Sequence, residues 1–182
     1  KNGSIDFYVP AAEKGAFGPG AGCIIEKKWH QKLIKPFLWD CDIWHAPFQS
    51  GRIVPAANKK IKILLTIHDL NCLHEGKSVN EQRQSLQKTQ QLIDHSHALV
   101  CISNHCKKDV LENMDLKDKP VYVIHNGTHH VNIPPARPTG YFPARPFLFT
   151  MGYVNQKKNF HTLISLLKDE GLELIVAGKL DD

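Results

Sequence analysis

Apolar residues in this chain come in short runs set off by polar punctuation, and the spacing of those runs predicts the architecture. Residues 5–9, 23–25, 43–45, 61–67, 98–102 and 121–124 have the length and β-branched content of strands. Polar segments long enough for helices separate several of them. Residues 80–95 are rich in Gln and Lys, with Leu86, Gln90 and Ile93 along a thin stripe, which predicts a partly exposed helix. Ser103 is a good N-cap for a second helix, on which Cys106, Val110, Leu111 and Met114 share a face. Strands alternating with helices predict an α/β protein, a mostly parallel Rossmann-like sheet with helices on both faces.

A second pattern begins at residue 147. Phe-Leu-Phe-Thr-Met (147–151), closed by Gly152, predicts a buried strand and a tight turn. Phe160, Leu163, Ile164 and Leu167 then recur at helical spacing, and residues 172–177 form another strand. Together they predict a βαβ unit with parallel strands. Residues 126–146 between the two patterns turn to Gly, Pro, Thr and Arg, including Pro134, Pro135, Pro138, Pro143 and Pro146, the composition of a semi-rigid linker. The expected division is therefore a domain over 1–133, a linker over 134–146, and the start of a second domain over 147–182. That last portion is too short for a self-sufficient core, so its apolar surfaces are expected to rest on the first domain or on another chain.

Lys157 and Lys158 fall where the helix of the second pattern should begin. A helix amino terminus carries free N–H groups and partial positive charge, so cations there are disfavoured unless an anion binds. The alternative is a pair of solvated surface lysines.

Composition narrows the class. With 42% apolar and 23% charged residues, and no run near the roughly 20 residues of a membrane span, the chain has the make-up of a soluble globular protein. The net charge of +5 comes largely from scattered lysines such as Lys27, Lys28, Lys59, Lys60, Lys107 and Lys108, without the aromatic interleaving that would argue for nucleic acid. Five cysteines without a CxxC pair fit a reducing compartment. The histidines include His95 with His97, Cys101 with His105 and Cys106, and His129 with His130, none in a recognisable zinc pattern, so no metal is expected. The Gly-rich stretch 15–22 lacks GxGxxG, which removes support for a nicotinamide or flavin cofactor.

The candidate chemistry sits at strand ends. His68 and Asp69 follow the run 61–67, at the carboxyl edge where open α/β sheets bind ligands. His45, Ser103, Asn126 and Gly127 occupy the same edge on neighbouring strands, and a cleft there would face the linker and the second domain.

Five stretches in order, DIWHAPFQS (42–50), ILLTIHDLNCLH (63–74), HALVCISNHCKKDVL (97–111), VYVIHNGTH (121–129) and FLFTMGYVNQKKNFHTLISLL (147–167), resemble the GT-B glycosyltransferases of the large group 1 family, which includes many mannosyl- and glucosyltransferases. The resemblance covers residue 40 to the end. It implies two Rossmann-like domains, the first for a glycan or glycolipid acceptor and the second for a nucleoside diphosphate sugar, with retention of configuration and no metal or other cofactor. In that family a basic residue at the position of Lys158 grips the donor diphosphate, beside Lys157 and Gly152. An arginine often follows the glycine, whereas this chain has Tyr153, which leaves Lys157 or another residue to supply that charge. By resemblance His68 lies on the sugar and acceptor side, with Asp69 orienting it or reaching the acceptor, and Ser103 and Asn104 line the cleft. The paired-glutamate donor motif would fall beyond Asp182, and a first strand and its Gly-rich loop before Ile5, so a fragment inactive by itself is expected. Asp181 and Asp182 are not a metal-binding pair. The implied setting is cytoplasmic assembly of a surface polysaccharide or glycolipid, peripheral to the membrane, with pairing of two chains through the incomplete second domain. Two other readings stay open: another GT-B enzyme, such as a sugar-nucleotide epimerase or a phosphorylase, and a non-catalytic module that binds an anionic partner.

Overall fold

The computed structural model describes residues 3–26, 41–49, 55, 59–128, 134, 140–167 and 171–179. Expectations that involve Lys27, Lys28, His129, His130, Pro135, Pro138, Asp181 and Asp182 lie outside these residues. The chain divides into two compact units, Lys1–Gly127 and Thr128–Asp182.

In the first unit, β1 (Asp6–Val9) and β2 (Gly22–Ile25) form a parallel pair, and β3 (Ile43–Ala46), β4 (Lys62–Ile67), β5 (Ala98–Cys101) and β6 (Val121–Val123) form a four-stranded sheet in that order. All its pairings are parallel. Parallel strands need crossovers, and α1 (Val79–His95) and α2 (Asn104–Asn113) supply those from β4 to β5 and from β5 to β6.

The strand registers sort the side chains. Ala46 pairs with Leu65, Leu65 with Leu99, and Ile67 with Cys101, so these residues share one face. The core forms there, where Leu65, Ile67, Leu99 and Cys101 are joined by Ile93 from α1 and by Cys106, Val110 and Met114 from α2. Both described helices of this unit thus cover the same face. One correction concerns α2. Leu111 is 54% exposed, while Asp109 takes a buried place between Cys106 and Val110. Cys106, Val110 and Met114 repeat every four residues, and Leu111 falls about 100° off that line.

Caps define the helix ends. At α1 the Ser78 hydroxyl accepts from the Glu81 N–H, and the Glu81 carboxylate accepts from the Ser78 N–H, a complete capping box. At the other end the Lys119 ammonium donates to the carbonyls of Ile93 and, at 2.9 Å, Asp94, which satisfies two orphan acceptors with favourable charge. No helix among the described residues is long and apolar enough to cross a membrane.

In the second unit, β7 (Phe147–Met151) and β8 (Glu173–Ala177) pair in parallel, with α3 (His161–Leu166) between them in sequence, which is the expected βαβ order. Its burial differs from expectation. Phe147, Leu148, Phe149 and Met151 are exposed, Met151 by 72%, and every buried core residue described in the chain lies in the first unit. A two-stranded sheet with one short helix has too few layers to cover its own apolar surface. On α3, Leu163 is half-buried, as are the flanking caps Phe160 and Leu167, but Ile164 is exposed.

Candidate functional site

The carboxyl edge of β3 and β4 is tied together by one side chain. The Gln49 amide oxygen accepts from the His68 N–H at 3.0 Å, and its amide nitrogen donates to the Asp69 carbonyl at 2.9 Å. Gln49 therefore holds the backbone of the His68-Asp69 pair from both sides. The His68 imidazole has its own anchor, since Nε2 lies 2.9 Å from the Pro47 carbonyl. A carbonyl only accepts, so Nε2 carries a proton, and in the neutral ring the lone pair is on Nδ1. Phe48 meets the His68 ring edge-on at 5.0 Å, which limits its rotation. Orientation of His68 comes from Pro47 and Phe48, whereas the Asp69 carboxylate accepts from the Asn71 N–H at 3.1 Å and shapes the turn that follows.

His45 lies inside β3 rather than after it, on the sheet face opposite the main core. Its Nε2 is 2.8 Å from the Thr66 hydroxyl of β4. Loss of surrounding water holds its imidazole below the ordinary value of 6.5, so it is neutral at pH 7.

At the next edge, the Ser103 hydroxyl accepts from the Cys106 N–H and caps α2, and Asn104 is exposed at the first helical position. The Cys106 thiol donates to the Ile67 carbonyl at 3.3 Å, fastening α2 to the end of β4. Its hydrogen bond with Cys101 pushes Cys106 far up, so it stays a thiol. His125 Nδ1 donates to the Ile102 carbonyl at 3.0 Å, after which Asn126 and Gly127 are exposed. The residues proposed from sequence in this unit are thus distributed along the carboxyl ends of β3 to β6, with His68 and Asp69 the pair that other side chains hold in place.

The histidine groupings suggested by sequence rearrange. Cys106 is buried and His105 is exposed, so adjacent residues of α2 part company. His105 instead meets His74 and Asp109. One atom from each of these three side chains lies within 4.8 Å of the other two. Sequence reasoning found His105 but neither partner: His74 is about 30 residues away and only the fold joins it, whereas Asp109 stands four residues on, a helical spacing that the sequence does show. Gln49 was missed for the same reason, since its contacts span 19 and 20 positions.

In the second unit, Lys157 and Lys158 belong to a 3-10 turn, Gln156–Lys158, and α3 starts only at His161. Asn159, in left-handed backbone at φ 54°, separates turn from helix. The lysines therefore stand just before the helix, in the turn that leads into it. Lys158 does reach Gly152. A Cβ placed on that glycine, at φ 146°, would stand 3.5 Å from Lys158 Cε and 3.7 Å from Phe160. Beside it, a Cβ on Gly178 would stand 1.8 Å from the Gly152 carbonyl oxygen, so the two loops approach as closely as bare backbone allows.

Residues 19–131 match the family model described as Glycosyltransferase Family 4. No curated protein and no solved structure matches the chain significantly.

Proposed function

The chain belongs to glycosyltransferase family 4 and has a Rossmann-like α/β fold of the GT-B kind, and on that premise we propose that it serves a retaining hexosyl transfer from a nucleoside diphosphate sugar to a glycan or glycolipid acceptor. The first unit would receive the acceptor. His68 is the proposed catalytic group, with its Nδ1 edge toward the reacting sugar and Asp69 beside it for an acceptor hydroxyl. His45, Ser103, Asn104, Asn126 and Gly127 would line the acceptor side.

The second unit would hold the donor diphosphate. Lys158, packed on Gly152, supplies a cation for the charge that develops on the departing nucleoside diphosphate, and Lys157 is a second. Departure of that group needs stabilisation of negative charge, which ammonium groups provide without a metal. The work would take place in the cytoplasm at the inner face of a membrane, in the building of surface polysaccharide or glycolipid. Pairing of two chains through the second unit belongs to the same proposal.

The observation that supports the reading most is the family match together with the preset His68. Its backbone, its Nε2 proton and its ring plane are each held by a different residue of the β3–β4 edge. Titrating the intact protein with nucleoside diphosphates, followed by thermal stability, tests the donor side. Selective stabilisation by one of them, weakened about 10–100-fold in Lys158→Ala through loss of charged hydrogen bonds, is expected. For His68→Ala the expectation is transfer reduced by about 10²-fold or more with diphosphate binding intact. Indifference to every nucleoside diphosphate would favour a non-catalytic binding module, and equal loss of binding and transfer in His68→Ala would remove it from the sugar side.

A further inference from the structure

We propose that His74, His105 and Asp109 form a binding site for one late first-row divalent metal ion, zinc by preference, which clamps the loop after β4 to α2.

The three residues come from two elements. His74 follows the 3-10 turn Asn71–Leu73, five residues past Asp69, while His105 and Asp109 stand one helical turn apart on α2. That i, i+4 spacing puts both side chains on one helix face, as in helical zinc motifs. Asp109 is the fixed point, its side chain only 10% exposed, and its Oδ2 lies 2.8 Å from His74 Nε2 and 3.6 Å from His105 Nε2.

Distances argue for an ion rather than for ion pairing alone. The His74 contact is a good hydrogen bond, but the 3.6 Å from His105 Nε2 to the same oxygen is too long for one. Ligand atoms about 2.0–2.1 Å from a tetrahedral zinc stand about 3.3 Å apart, a spacing that 2.8 and 3.6 Å bracket. The two rings, with centroids 5.5 Å apart and planes 39° apart, lie side by side without stacking on each other. Two imidazole nitrogens and one carboxylate oxygen suit zinc and its neighbours and not calcium or magnesium, which prefer oxygen. With three protein ligands, a fourth position is left for water or an oxygen donor, and the exposure of His74 and His105 puts that position toward solvent.

The consequence is mechanical. An ion there would pin the turn that follows His68 and Asp69 onto α2, whose cap is Ser103. This goes beyond the proposed transfer chemistry and does not depend on it.

Zn²⁺ competition against a chromophoric chelator and Co²⁺ absorption, both on the intact protein, test the site. One ion per chain is expected, with a visible Co²⁺ spectrum free of thiolate charge transfer. His105→Ala and His74→Ala, both at exposed positions, should each weaken Zn²⁺ binding about 100-fold or more, since even outer-shell partners of a metal ligand are worth about 10–100-fold. His95→Ala, on α1 and outside the cluster, should bind as the parent does, and Zn²⁺ should raise the melting temperature of the parent but of neither cluster variant. Absence of uptake, parent-like affinity in either cluster variant, or a thiolate band would overturn the proposal.

Discussion

His97 shows how a single imidazole can act as part of the sheet. The Ile63 N–H donates to its Nδ1 at 3.1 Å, and the His97 N–H donates to the Ile63 carbonyl at 2.8 Å, so backbone and ring together continue the β4 edge. An acceptor nitrogen must be unprotonated. Desolvation, with Lys62 and Lys119 nearby, holds this imidazole below 6.5, and His45 is lowered by burial as well. The unfolded chain takes up protons at these sites before the folded one does, so stability is fully present above about 6.5 and falls as acid lowers the pH from there toward the folded values. Melting temperature measured across this range should decline in the parent. It should decline less in His97→Gln, whose side chain can accept a hydrogen bond without titrating. A parallel decline in both would remove His97 from the account. At the site, the residue types at strand ends were legible in sequence, since His68 and Asp69 follow a recognisable strand. Their supports were not. Gln49 and Pro47 hold the pair across about 20 positions of chain, and no local pattern carries that information.

Among the elements, α1 and the β7–β8 unit carry the sharpest expectations. Ser78→Ala removes one half of a capping box and should lower stability by about 1 kcal/mol, read as a shift of the urea midpoint at unchanged slope. The Ser-x-x-Glu signature is visible in the sequence, yet periodicity alone places the start near residue 80, because caps lie outside the apolar repeat. In the second unit, Gly178→Ala would drive a methyl group into the Gly152 carbonyl at 1.8 Å. Backbone there cannot move without breaking the Gly152–Ala177 and Val154–Lys179 hydrogen bonds that prolong the β7–β8 ladder. A loss of about 1–3 kcal/mol in the stability of that unit is expected, measurable by hydrogen exchange of the β7 and β8 amides. Parent-like protection would refute it. Phe160 to Leu167 reads as helical by spacing, and its two end residues become the N-cap and C-cap of α3, with Asn159 in left-handed backbone parting it from the 3-10 turn before it.

For the whole chain, apolar burial separates the two units. Leu65, Ile67, Ile93, Leu99 and Val110 are sealed in the first, while β7 presents Phe147, Phe149 and Met151 to solvent. Burial of a large apolar side chain is worth about 1.5–3 kcal/mol, so protection against exchange should differ between them. Amides of β4 and β5 should exchange slowly and those of β7 rapidly, by several orders of magnitude, in the intact protein. Equal protection would mean that β7 is covered in solution. What the sequence by itself determined is the alternation of strands and helices, the parallel pairing it entails and the polar residues at strand ends, because hydrophobic period and chain length are local properties. Tertiary structure alone decided which face both helices cover, which carboxylate is buried at Asp109, and which distant side chains meet. Those outcomes depend on register and packing between segments 20 or more residues apart, where one step of register reverses the direction of every side chain.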